Sequence, residues 1–146
     1  MKKRILTWLL AISMLGSLLT VPAGAAAVTK FSDVSDSYTA TAVETLRLMG
    51  VLDGYGDGTF RPDTVLNRAQ FCKMAVYAMD GSGELGRYST VTIFPDVKPS
   101  HWASAYINMA ARKGIISGFA DGKFKPGQTV TAGQAVTILM RGLGYK

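Results

Sequence analysis

The sequence predicts an all-α protein, two tandem helix-loop-helix repeats sharing a core, behind a cleaved signal peptide. Three observations predict it. A loop is written twice, as Gly50-Val-Leu-Asp-Gly54-Tyr-Gly-Asp57-Gly58-Thr-Phe60-Arg-Pro62 and as Gly114-Ile-Ile-Ser-Gly118-Phe-Ala-Asp121-Gly122-Lys-Phe124-Lys-Pro126. Apolar residues recur at helical spacing on both sides of each copy. Residues 1–27 carry the charge and hydropathy pattern of an export leader. The copying extends beyond the loop, because Phe31, Asp33 and Val34 return as Phe94, Asp96 and Val97, and Gln70 returns as Gln134. Self-similarity at this period defines the unit of architecture before any single residue is interpreted.

The leader begins with Lys2, Lys3 and Arg4, continues through the apolar run Ile5 to Leu19, and ends in small residues, with cleavage expected after Ala25 or Ala27. Its apolar run is shorter than the roughly 20 residues of a spanning helix, and no second hydrophobic stretch follows, so no retained membrane span is expected. Losing those three cations lowers the formal charge from +6 to +3. The remaining Lys and Arg are scattered and form no basic tract, which argues against nucleic acid as a partner. A modest positive balance on an exported chain instead suits an acidic surface partner.

Repeat 1 covers residues 30–80. Its Phe-x-Asp-Val opening leads to a first helix with Tyr38, Val43, Leu46 and Met49 on the apolar side, Ser37 at the expected N-cap and Gly50 at the expected left-handed stop. Val51 and Leu52 are expected to fold back on that helix. In the loop, Asp57-Gly58 makes a tight turn, Phe60 points inward and Pro62 fixes the exit. The second helix opens with Asn67-Arg68-Ala69-Gln70, a capping box, and sets Ala69, Cys72, Val76 and Met79 on one face. Cys72 has Val136 as its counterpart and is expected to be a small buried hydrophobe.

Residues 81–90 lie in a glycine-bearing stretch, Asp80 to Thr90, expected to be a flexible linker. Repeat 2 covers 91–146. Its first helix is expected from Ser100, with Trp102, Ile107 and Ala110 at helical spacing and Gly114 at the stop, and its second from the capping box Thr131-Ala132-Gly133-Gln134. Units of about 50 residues bury little apolar surface alone, so the two are expected to share a core.

This order of motifs resembles the S-layer homology domain over nearly all of the mature chain. The resemblance implies a secreted, wall-associated protein of helical modules, usually found in threes. Such modules bind secondary cell-wall polysaccharide non-covalently, often through pyruvate ketals, in grooves between repeats. The family's Trp at the first helix is kept as Trp102 and replaced by Tyr38. Its Thr-Arg-Ala-Glu signature appears as Asn67-Arg68-Ala69-Gln70, whereas the second copy has Ala132 in place of the arginine.

Arg68 is therefore the expected main anion contact. A cation at a helix start is badly placed for the dipole, and it gains most by sharing an anionic guest with the free amides there. Its fork matches a carboxylate. Trp102 and Tyr38 are candidates for contact with a sugar ring. Gly54 would allow close backbone approach. Asp57 is a candidate ligand whose simpler role is turn formation.

Other functions find little support. Asp53 to Gly58 faintly resembles a calcium loop, but Ser117 replaces Asp53 in the second copy and no glutamate closes either loop, so no metal is expected. His101 is the lone histidine, and no nucleophile elbow, metal-binding histidine pair or phosphate loop accompanies it, so neither catalysis nor a cofactor is expected. An envelope structural or protein-interaction module with weak or no glycan binding is the rival. Two repeats where three are usual leave one flank uncovered, so a homo- or hetero-oligomer supplying a third repeat is the partner implied.

Overall fold

Each helix begins and ends where local chemistry dictates. In the computed structural model, which describes residues 30–79 and 82–145, four α-helices and one 3-10 helix follow in the order α1 (Ser37–Leu48), α2 (Arg68–Ala78), η1 (Ser82–Tyr88), α3 (Ser104–Arg112) and α4 (Ala132–Gly142). Among the described residues the one β pairing is an isolated antiparallel bridge, Asn67 with Thr129; the rest are helices, turns and irregular loops. The expected leader, residues 1–27, lies outside them.

Both expected capping boxes form. Gln70 N donates to Asn67 Oδ1 at 2.9 Å while Asn67 N donates to Gln70 Oε1 at 2.9 Å, and Thr131 with Gln134 repeats the exchange at the start of α4. Gly50 and Gly114 both adopt φ of +71° just after their helices, the left-handed stop that a side chain would oppose. The other two caps differ from expectation. Asp36 caps α1, accepting from Thr39 N at 2.7 Å, because its carboxylate reaches the first-turn amide one residue before Ser37. Ser100 lies in a turn ahead of α3, whose cap position is Ala103 with no side-chain cap bond. His101 Nδ1 instead accepts from Ala103 N at 3.1 Å.

The core crosses the repeat boundary. Ala69, Cys72, Ala75 and Val76 of α2 join Phe94, Val97, Ile107, Met109, Ala110, Ile115, Ile116, Phe124 and Ile138 of repeat 2 in one buried cluster. Helix α2 contacts both α3 and α4. Cys72 is fully buried there, and that burial pushes its thiol up to about 12, so it is an inert packing residue. Gly142 accommodates this arrangement from the other side: a methyl group on it would collide with the Met79 side chain. Repeat 1 keeps a smaller cluster of its own, Phe31, Val34, Ala40, Val43 and Leu52.

Two further expectations are corrected. The glycine-bearing stretch is not a slack joint: η1 occupies it, Leu85 and Tyr88 pack on the core, and Lys113 pairs with Glu84 at 2.8 Å. Asn108, fully buried in α3, donates to Val91 O at 2.5 Å and Ser104 Oγ at 3.1 Å and ties the chain after η1 to the helix. The periodicity of α1 also overstates its buried face. Val43 is buried, but Tyr38, Leu48 and Met49 are exposed, because no described helix packs on that side.

Candidate functional site

The repeated loops are held by the aspartates of the Phe-x-Asp-Val openings. Asp33 accepts from Phe60 N at 2.8 Å and from Arg61 N at 2.6 Å. Asp96 does the same for Phe124 N at 2.9 Å and Lys125 N at 2.7 Å. Among the described residues, Arg61 and Lys125 are the two non-glycine residues with positive φ, 60° and 58°, a conformation that needs such external fixing. Amide donation from Phe60 and then Arg61 holds the Asp33 carboxyl below its ordinary value. At Asp96 burial pushes the other way, and the amides of Phe124 and Lys125 outweigh it.

Asp57 serves the turn. It accepts from Thr59 N at 3.0 Å and pairs with Arg61 at 2.7 Å, and the Thr59 hydroxyl followed by Arg61 lowers its carboxyl to about 2. Gly54 has φ of +72°, and a methyl group there would run into the Phe31 ring. Its missing side chain is thus first a packing requirement, while the residue still lines a surface depression.

Arg68 crosses from repeat 1 into repeat 2. It is only 5% exposed. Nε donates to Phe124 O at 2.8 Å, Nη1 to Gln134 Oε1 at 3.3 Å and Nη2 to Ser117 O at 3.3 Å. The guanidinium also lies 4.6 Å from the Phe119 ring centre and 4.5 Å from that of Phe124. Burial pushes its pKa below the ordinary arginine value, yet an arginine remains charged at neutral pH. Among the described residues no carboxylate lies within ion-pair distance of it. A buried cation held by carbonyls, an amide and aromatic faces has its hydrogen bonds but no carboxylate in contact, Asp96 acting on it only from beyond ion-pair distance.

The amides beside Arg68 are not free for a guest, contrary to expectation. Arg68 N donates to Gln128 O at 2.8 Å and Ala69 N to Pro126 O at 3.0 Å, because the exit of the second loop runs across the start of α2.

Two depressions flank these elements. The first, about 340 Å³, is lined by the repeat 1 loop (Asp53, Gly54, Tyr55, Phe60), by Gln70 and Lys73 of α2, and by Trp102 of repeat 2, among others. The second, about 380 Å³, is lined by Arg68, Ser117, Thr131, Gly133, Gln134 and Arg141, together with Ile116, Thr137 and Ile138. It brings two guanidiniums and the start of α4 together without an acidic residue. The structure therefore unites Gly54 and Trp102 in one depression and places Arg68 in the other. Trp102 is 56% exposed. Tyr38, 84% exposed, lines neither depression, and Asp57 is likewise outside both.

Sequence reasoning missed Arg141 and the loop-holding role of Asp33 and Asp96. The aspartates recur in both copies between apolar residues that also recur, a signal that was available. Arg141 has Tyr77 as its counterpart, so repetition gave it no mark, and only folding brings it to 3.3 Å from Ser117 Oγ.

Two helical repeats, locked by an arginine that passes from one into the next, define a tandem-repeat module with a cationic depression at the junction. The S-layer homology domain family matches residues 30–72 and 93–136, and the chain belongs to that family. It is 33% identical over 140 residues to a surface layer protein of Brevibacillus choshinensis, covering 92% of this chain and 12% of that protein. It is 36% identical over 126 residues to a cell surface protein of Thermoanaerobacter kivui, covering 84% and 16%. It is 31% identical over 115 residues to a cellulosome-anchoring protein of Acetivibrio thermocellus, covering 77% and 26%. The chain thus spans a small fraction of the length of these relatives. Membership places it among the modules of bacterial cell-surface and wall-anchoring proteins.

Proposed function

We propose that the chain is a non-enzymatic, secreted wall-attachment module that holds an anionic group of secondary cell-wall polysaccharide non-covalently against Arg68 and Arg141. One observation carries the reading: Arg68 is buried without a carboxylate partner, in a depression that holds a second guanidinium and no acid. A carboxylate on the glycan, such as a pyruvate ketal, supplies a counter-charge in direct contact, and each terminal nitrogen of Arg68 keeps an N–H beyond the bond it already makes. The α4 N-terminus adds a favourable field. Trp102, exposed on the first depression, is the proposed second contact, offering a flat face to a sugar ring, and Gly54 leaves room beside it. No glycan role is assigned to Tyr38 or Asp57.

The test is co-sedimentation with wall sacculi, untreated or stripped of secondary polysaccharide by acid. Retention is expected on untreated sacculi only, weakening as salt rises because the charges are partly solvated. Arg141→Gln, which removes an exposed guanidinium and one weak contact, is expected to lower retention by about tenfold. Arg68→Lys keeps the charge but loses the fork and is expected to weaken binding as well. Equal retention on stripped sacculi would overturn the reading, as would wild-type retention by both variants.

A further inference from the structure

Among the described α-helices, α3 alone starts without a capping side chain. Asp36, Asn67 and Thr131 each accept from a first-turn amide of the helix that follows, whereas the residue at the cap of α3 is Ala103, with no such bond. A ring closes that turn instead. His101 Nδ1 accepts from Ala103 N at 3.1 Å, and Ala103 is completely buried, so water does not reach its amide to replace that acceptor. A ring nitrogen that accepts carries no proton. The neutral imidazole, with its single proton on Nε2, is therefore the form this turn requires.

The same ring lies against Trp102, with centroids 5.7 Å apart and planes 27° from parallel. The stack holds the indole, 56% exposed, on the first depression. The charged residues that share this depression are Asp53, Arg61 and Lys73, and they are engaged with others, Lys73 with Asp53 at 3.3 Å and Arg61 with Asp57 at 2.7 Å. On the segment leading into His101 the charged residues are Asp96, which holds the amides of Phe124 and Lys125, and Lys98, whose carbonyl accepts from His101 N. Among the described residues no carboxylate pairs with the imidazole. A proton added at Nδ1 meets a buried N–H and no ion-pair partner. In repeat 1 Ser37 stands at the place of His101, and Tyr38 beside it is 84% exposed and outside both depressions.

We infer that His101 is a proton-sensitive positioning residue for Trp102: the neutral imidazole seats the indole as a wall of the first depression, and protonation turns the imidazole off the Ala103 amide and releases the indole. The inference rests on the reading of Trp102 as a contact for a sugar ring, and it adds a condition, that the contact is made at neutral pH and lost in mild acid. His101 is the lone histidine of the chain, and histidine is the side chain whose charge ordinarily changes between about pH 5 and 8. The loop carboxylates Asp33, Asp57 and Asp96 are held low and stay charged across that range.

Co-sedimentation with untreated sacculi at about pH 7.5 and about pH 5.5 brackets the histidine range. Wild-type chain is expected to lose about fivefold in retention between the two, the scale of one net hydrogen bond. His101→Asn offers Oδ1 in place of Nδ1 and does not titrate, so it is expected to keep the neutral level at both values. His101→Phe stacks but has no acceptor and is expected to give the acid level at both. Trp102→Leu is expected to be low and flat. Wild-type retention that ignores pH overturns the inference, as does an equal acid loss in His101→Asn or Trp102→Leu. The indole is also followed without glycan. In a Trp8→Phe background Trp102 is the remaining tryptophan, and its emission is expected to fall as the stacked imidazole gains its proton and to stay constant in His101→Asn. Emission that ignores pH overturns the coupling of His101 to Trp102 whatever the sacculi show. An emission change without retention at any pH upholds that coupling and overturns the glycan reading alone.

Discussion

Single carboxylates set the shape of both loops. Asp96 fixes the backbone at Phe124 and at the positive-φ residue Lys125 through two charge-assisted bonds, and Phe124 in turn supplies the carbonyl and ring that hold Arg68. The folded Asp96 pKa is depressed, so its stabilisation is fully present above the ordinary carboxylate value of 3.8 and is lost as pH falls through the folded value. Asp33, Asp57 and Asp121 are depressed too and titrate in the same direction. Thermal stability is therefore expected to be flat near neutrality and to decline as pH falls below about 4. Asp96→Asn is expected to cost about 1–3 kcal/mol at pH 7, since the amide retains shape but loses a charge-assisted acceptor. It is also expected to flatten the acid decline. Melting curves from pH 2 to 7 on both proteins check this, and an unchanged acid limb in the variant would remove Asp96 from the account.

Helices of this protein depend on the chain beyond their ends. The stretch after α2 has glycines at 81, 83 and 86, yet η1 forms because Leu85 and Tyr88 find the core and Asn108 holds the segment leading on to repeat 2. Asn108→Ala would leave Val91 O without its side-chain donor in a buried setting. It is expected to destabilise by about 1–3 kcal/mol and to raise amide hydrogen exchange in residues 82–93 before that of α4. Uniform acceleration across all helices would show that the tie is not local. Capping boxes and the stops at Gly50 and Gly114 were legible in the sequence because each is a contact within a few residues of chain. Ser100 was misread as a cap because His101, beside it, competes for the same amide. The inward face of α1 was overread because periodicity marks apolar residues without saying whether anything is there to cover them.

At the level of the whole molecule, the unit of sequence and the unit of packing are out of register. Helix α2 belongs to repeat 1 by sequence and to the core of repeat 2 by contact. The two repeats are therefore expected to unfold together. Val76→Ala, in repeat 1, removes buried contacts at a site 1% exposed and is expected to cost about 2 kcal/mol. It should lower the midpoint followed by Trp102 fluorescence in repeat 2 as much as that followed by far-ultraviolet circular dichroism. Separate midpoints would contradict the shared core. The same offset explains the junction chemistry, since an arginine from one repeat can be buried without a carboxylate only where the next repeat presents ready-made carbonyls and rings.

The sequence by itself determined the repeat, its capping boxes, glycine stops and turns, the apolar face of α2 and family membership, all of which depend on neighbours along the chain or on the chain's likeness to itself. It also singled out Arg68, Trp102 and Gly54. Only the tertiary structure decided that Arg68 lies in a different depression from the other two and that Arg141 joins it. Those facts concern residues as much as 73 positions apart, from Arg68 to Arg141. A periodic sequence records which residues are equivalent, but the burial and counter-charge of each are set by which neighbour the fold places over it.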